Sequence, residues 1–169
     1  MKPGVKGAPN TFDGKGMVGI VNFSTEAEFY REFIYIPFDK KLKAAQPYTL
    51  ELAAHQDIFE ARYWYPEIQY KLVTGTPNLH YAFPGEPDGV IHLSSYEKKE
   101  DVDWQLYEAR FVPTEAYIGI LIGVMTVEEK KVKKGFAGKH GLPASYLYVD
   151  KISLKAVSAS HPNRVYGNQ

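Results

Sequence analysis

The clearest regularity in the chain is an alternation. Across residues 48–54, Tyr48, Leu50 and Leu52 take every second position while Thr49 and Glu51 fall between them, the period-two pattern of a strand with one buried face. Residues 17–23, 67–74, 90–93 and 104–112 are rich in aromatic and β-branched positions mixed with polar ones and are predicted strands. Residues 29–36 are denser still. Extended, they put Phe29, Arg31, Phe33 and Tyr35 on one face and Tyr30, Glu32, Ile34 and Ile36 on the other, so each face of a predicted inner strand carries one charge that needs a partner. Residues 116–127 form a long apolar strand in which Gly119 and Gly123 predict bulges or close backbone approach. Residues 146–157 close the series, interrupted by one acid, Asp150. Such a carboxylate must be solvated, hydrogen-bonded or bound to a cation, because burying it unpaired is costly.

Turn chemistry separates these segments. Asp13-Gly14 supplies a positive-φ turn before the first strand, Pro37 ends the second, Pro47 opens the third, and residues 75–88 are rich in Pro and Gly. Residues 61–66 are expected to be a loop carrying three consecutive rings, and residues 128–141, with Lys130, Lys131, Lys133 and Lys134, a solvated connection. Residues 26–28 could make a turn of helix, but no amphipathic helix of three turns is present. About eight strands punctuated by turns predict an all-β fold, a two-sheet antiparallel β-sandwich, with jelly-roll topology as the expected connectivity. Residues 1–10 read as a flexible lead-in, 11–157 as the domain and 158–169 as a tail or linker.

Composition narrows the function. A chain of 169 residues suits one domain with a full core. Its 20 basic and 20 acidic residues cancel, which removes the electrostatic footprint expected of a nucleic-acid binder. Without cysteine there is no disulfide framework, thiolate cluster or thiol nucleophile. No apolar run approaches the roughly 20 residues of a membrane span, so direct membrane insertion is not expected. No signal-peptide pattern follows Met1, and an exported protein would have lost it.

The 13 tyrosines change the picture more. Flat rings stack on sugar C–H faces and their polar tips bond hydroxyls, so Tyr63, Trp64 and Tyr65, joined by Tyr81 and Phe83 from the next loop, are the candidate glycan contacts. The opposing reading is that Trp64 and one tyrosine plug an end of the sandwich. Trp104, at the start of a strand, is expected in the core; Arg31 and Glu32 are expected in internal ion pairs with Glu51 or Arg110, the alternative being that either lines a concave binding face. The five histidines show no metal-site spacing. Glu97, Glu100, Asp101 and Asp103 sit beside Lys98 and Lys99 as a charge-balanced connection, and no Gly-X-Ser-X-Gly elbow or phosphate loop occurs.

Several segments also come in a familiar order: residues 11–20 (TFDGKGMVGI), Tyr30-Arg31-Glu32-Phe33, Leu42 with residues 47–52 (PYTLEL), Trp104 with Phe111, and residues 146–154 (YLYVDKISL). Together, over residues 11–155, they resemble carbohydrate-binding, galactose-binding-like jelly-roll modules of exported and outer-membrane-associated bacterial proteins, including OmpA-like and gliding-motility-associated ones. The resemblance implies a structural calcium held by Asp150 with Asp13 or carbonyls of the opening turn. Where the resembled pattern often has a second acid after the first, this chain has Lys151. The resulting expectation is a non-catalytic carbohydrate-binding-like module, extracellular or at the cell surface, with a glycan or polysaccharide as partner. The alternatives are a structural or adhesion module contacting a neighbouring domain or surface protein, and a jelly-roll polysaccharide hydrolase or lyase.

Overall fold

A computed structural model describes residues 9–26, 30–78, 84–94 and 103–157. Among them ten strands form two sheets: β1 (Val18–Ser24), β2 (Ile34–Pro37), β3 (Tyr48–Gln56), β4 (Ala61–Trp64), β5 (Glu67–Val73), β6 (Gly89–His92), β7 (Gln105–Phe111), β8 (Gly119–Gly123), β9 (Lys133–Lys134) and β10 (Leu142–Ala156). The larger sheet is organised around β10. One side of β10 pairs with β1; the other pairs antiparallel with β3 over its second half and parallel with β4 over its first. Beyond β3 lies β7, and beyond β4 lies β9. The smaller sheet runs β2-β8-β5-β6, every pair antiparallel.

The alternation read from residues 48–54 decides which sheet faces meet. Leu50, Leu52 and Ala54 of β3, with Leu147 and Val149 of β10 and Ile20 of β1, pack against Ile68, Tyr70 and Leu72 of β5, Ile91 of β6 and Ile120 and Ile122 of β8. The two-sheet all-β sandwich is therefore as expected. Gly119 and Gly123 are close-approach positions: a Cβ on either would lie 2.6 or 2.7 Å from the Tyr35 or Phe33 ring.

Four details differ from the sequence reading. The strand expected at 29–36 pairs only from Ile34, because residues 30–33 cross from the larger sheet to the smaller; Glu32 N–H still donates to Val21 O at 2.9 Å, beside β1. The loop expected at 61–66 is instead the strand β4. Asp57 turns the chain, its Oδ1 accepting from Glu60 N–H at 3.0 Å and its carbonyl from Ala61 N–H at 3.3 Å, and β4 then runs back along β10. The basic segment 128–141 contains the short strand β9 and two single turns of 3-10 helix, Glu129–Lys131 and Gly138–His140. Finally, β10 begins at Leu142, four residues before the expected start.

Trp104 is half-buried on the outer face of the larger sheet, not in the core. Its indole N–H donates to Asn10 O at 2.6 Å, and its ring lies 6.1 Å from Phe12 and 5.6 Å from His55. Residues 10–13 thus pass over this face, so the lead-in expected at 1–10 is docked at least at its last residue.

Candidate functional site

Asp150 sits where β10 loses register with β3, between Asp150 and Ser153. Lys151 there has φ 48°, a left-handed conformation that costs a side-chain-bearing residue roughly 1–2 kcal/mol. The carboxylate organises the irregularity. Oδ1 accepts from Lys151 N–H at 2.6 Å, and Oδ2 from Phe12 N–H at 3.0 Å and Asp13 N–H at 3.1 Å. Asp150 does fasten the opening turn to the closing strand, but through backbone N–H donors. The turn offers hydrogens at this point where a calcium cage needs oxygens, and Asp13 contributes its amide while its side chain is exposed. The donor set does not fit the calcium site drawn from Asp13 and Asp150, and no cluster of three metal-ligating side chains occurs among the described residues.

The three adjacent rings separate. Tyr65 is fully buried, edge-on to Phe23 at 6.3 Å between centroids, and Trp64 is buried against Ile58. Both are packing residues. Strand alternation turns Tyr63 the other way from Trp64, and Tyr63 remains half-buried. Tyr81 and Phe83 lie outside the described residues.

Tyr63 lines a cleft of ≈ 460 Å³ at one end of the sandwich, together with Phe23 and Thr25 from the end of β1, Tyr30 and Arg31 from the crossing segment, and Glu129 after β8. The volume falls within the range of small-ligand sites. Its base is a small apolar cluster of Phe23, Tyr65 and Val124, with Tyr63, Val127 and Val132 packed on it. Tyr30 is about half exposed, and its hydroxyl donates to Glu32 Oε1 at 2.8 Å, which fixes the ring and raises its phenol pKa above the ordinary value. Glu32 Oε2 accepts from Val21 N–H at 2.8 Å, tying the crossing segment to β1. Glu51 and Arg110, the expected ion-pair partners, engage Lys155 and Glu108 instead.

The wall formed by residues 125–128 is held from three directions. Gln69, buried on β5, accepts from Met125 N–H at 2.7 Å and Thr126 N–H at 2.9 Å and donates to Thr126 O at 2.9 Å. The Tyr65 hydroxyl accepts from Glu128 N–H at 3.0 Å. Arg31 donates to Met125 O, and burial pulls its pKa below the ordinary guanidinium value. Lys131 adds an anchor, bridging Glu128 and the buried Glu67 of β5, 2.8 Å away from the latter; these bonds raise the lysine pKa and lower that of Glu128. The cleft is thus largely pre-formed, an arrangement that reduces the ordering cost of binding.

A second cleft of ≈ 300 Å³ adjoins the first through Tyr63, which lines both. Comparison with protein-family models and with curated proteins finds no match for this chain.

Proposed function

We propose that this chain is a non-catalytic, carbohydrate-binding module with jelly-roll topology, acting outside the cell or at its surface. One observation carries the reading: Tyr63 and Tyr30, two half-exposed rings with polar tips, line one pre-formed cleft with the charged side chains of Arg31 and Glu129. Rings that stack on a pyranose and charged or hydroxyl groups that bond its edges are what a sugar site requires. Glu129 is the only acid lining the cleft among the described residues, whereas glycosidic cleavage ordinarily uses a pair, which favours binding over turnover. The jelly-roll assignment rests on strand order. With β4 and β9 set aside, the sheets read β1-β10-β3-β7 and β2-β8-β5-β6, eight strands in two antiparallel sheets.

Glycan-array screening followed by retardation in polysaccharide gels tests the function. Tyr63→Ala is expected to weaken binding by about tenfold or more, a loss of about 1.4 kcal/mol, without lowering the melting temperature by more than a few degrees. Trp64→Ala is expected to lower the melting temperature instead. Binding unaffected by Tyr63→Ala would remove the cleft from the account.

A protein-contact reading is favoured by a different observation. Phe59, Phe136 and Leu142 are 46%, 39% and 50% exposed, and the two phenylalanine rings lie 6.4 Å apart. Sedimentation of wild type and Phe59→Ser at matched concentration checks whether this patch drives self-association; identical monomeric profiles would count against that form of the reading.

A further inference from the structure

The cleft that shares Tyr63 with the proposed sugar site is cationic. Arg62, Lys134 and Lys139 line it, joined by Gly135 and Gly138, and no acid does so among the described residues. Register brings the charges together: Lys134 sits opposite Tyr63 in the β4–β9 pair, and Gly135 N–H donates to Arg62 O at 2.7 Å, holding the turn that carries Lys139 against β4. Gly135 is required there, since a Cβ would lie 2.4 Å from Ala61 O. Arg62 is oriented by its Nε–H bond to Gly141 O at 2.7 Å.

The surrounding basic residues are paired differently. Lys130 is bonded to Glu128, and Lys131 to Glu128 and Glu67. Arg62, Lys134 and Lys139 form no ion pair with a described carboxylate. In a protein with no net charge, three cations around one ≈ 300 Å³ hollow, none paired with a described carboxylate, are a local feature and not a consequence of overall composition.

We propose that the ligand is an anionic glycan: a sugar ring lies against Tyr63 while a carboxylate or sulfate on that ring or the next is held by Arg62, Lys134 and Lys139. This rests on the carbohydrate reading of the adjoining cleft and adds the chemical class of the sugar. Arg62 is suited to a planar, two-point hold on the anion and the lysines act as point charges. Exposed charges of this kind act within a Debye length, about 10 Å at 0.1 M salt, so the anionic preference is expected to weaken as salt is raised.

Native gels containing dextran, carboxymethyl-dextran or dextran sulfate keep the backbone constant while changing its charge, and polyglutamate supplies a polyanion without sugar rings. The expected result is stronger retardation by one or both charged dextrans than by dextran, with little by polyglutamate. Which charged dextran is preferred separates carboxylate from sulfate. Lys134→Gln with Lys139→Gln is expected to reduce the charged-over-neutral preference about tenfold, whereas Lys40→Gln with Lys41→Gln, an equal change in net charge elsewhere, preserves it. Circular-dichroism melts of both double variants establish that each is folded. Equal retardation by all three dextrans overturns the anionic preference and leaves the carbohydrate reading standing. Retardation by polyglutamate matching the charged dextrans, or equal loss in the two double variants, also overturns it. Retardation by none of the polymers overturns both readings.

Discussion

At the scale of single residues, Asp150 shows how one side chain can account for a break in a pattern. It interrupts the closing strand because it occupies a bulge, and it tolerates that place because backbone N–H groups from Phe12, Asp13 and Lys151 solvate both its oxygens. Asp150→Ala is expected to cost about 1.5–3 kcal/mol in urea unfolding, the range for hydrogen bonds to a charged acceptor. Chelator is expected to leave the wild-type melting temperature unchanged; a calcium-dependent rise would contradict the N–H-only account. Lys151→Gly relieves the left-handed strain and is expected to stabilise by up to about 1 kcal/mol, the relief being partly offset by glycine's greater unfolded freedom. His55 gives a pH dependence. Burial under Trp104 lowers its pKa below 6.5, although Asp57 and Asp103 oppose the shift. The unfolded chain therefore binds this proton more readily, so the contribution of neutral His55 is complete above about pH 6.5 and is lost as pH falls through the lowered folded value. Unfolding midpoints between pH 7.5 and 5.0 are expected to fall less steeply for His55→Gln than for wild type.

At the scale of elements, legibility followed the range of the determining contacts. The strand at 48–54 is readable because side-chain alternation is local, and its inward Leu50 and Leu52 are core residues; Thr49 and Ala53 on the other face are buried as well, which alternation alone does not predict. The β4 segment reads as a loop because three adjacent rings look like loop decoration, while its strand character depends on parallel pairing with β10, some 80 residues away. Of the two sequence readings of the three rings, the one that makes Trp64 and one tyrosine packing residues agrees with the burial of Trp64 and Tyr65, and β4 alternation separates Tyr63 from Trp64 once the strand is recognised. Tyr30 and Glu129 are not legible as cleft residues, and Arg31 only as the lesser of two readings, because they come together only when the chain crosses between sheets and returns after β8. Arg31 did leave a signal, a charge in an aromatic run. Gln69 left none, yet Gln69→Leu, which strands the Met125 and Thr126 amides, is expected to cost about 2–3 kcal/mol and to weaken ligand binding as well. Unchanged affinity in a folded Gln69→Leu protein would show that the 125–128 wall is not part of the binding surface.

At the scale of the molecule, fold and function divide between two kinds of surface. The inner faces of the sheets supply the apolar core, and the proposed binding cleft is lined by side chains from the ends of strands and their connections together with Tyr63 of β4. This explains why the sandwich could be read from periodicity while the cleft could not. The position of β10 has a further consequence, for biosynthesis. The strand that joins β1, β3 and β4 is the last of the ten to leave the ribosome, so the β3–β7 and β4–β9 pairs can form during translation but the larger sheet cannot be completed until β10 emerges. Until residues 142–156 emerge, β1 and β3 each present an edge that only β10 can cover, an interval of exposure to aggregation or chaperone capture. Nascent chains stalled before residue 142 are accordingly expected to remain protease-sensitive throughout β1 and β3, with protection appearing in one step once β10 clears the exit tunnel.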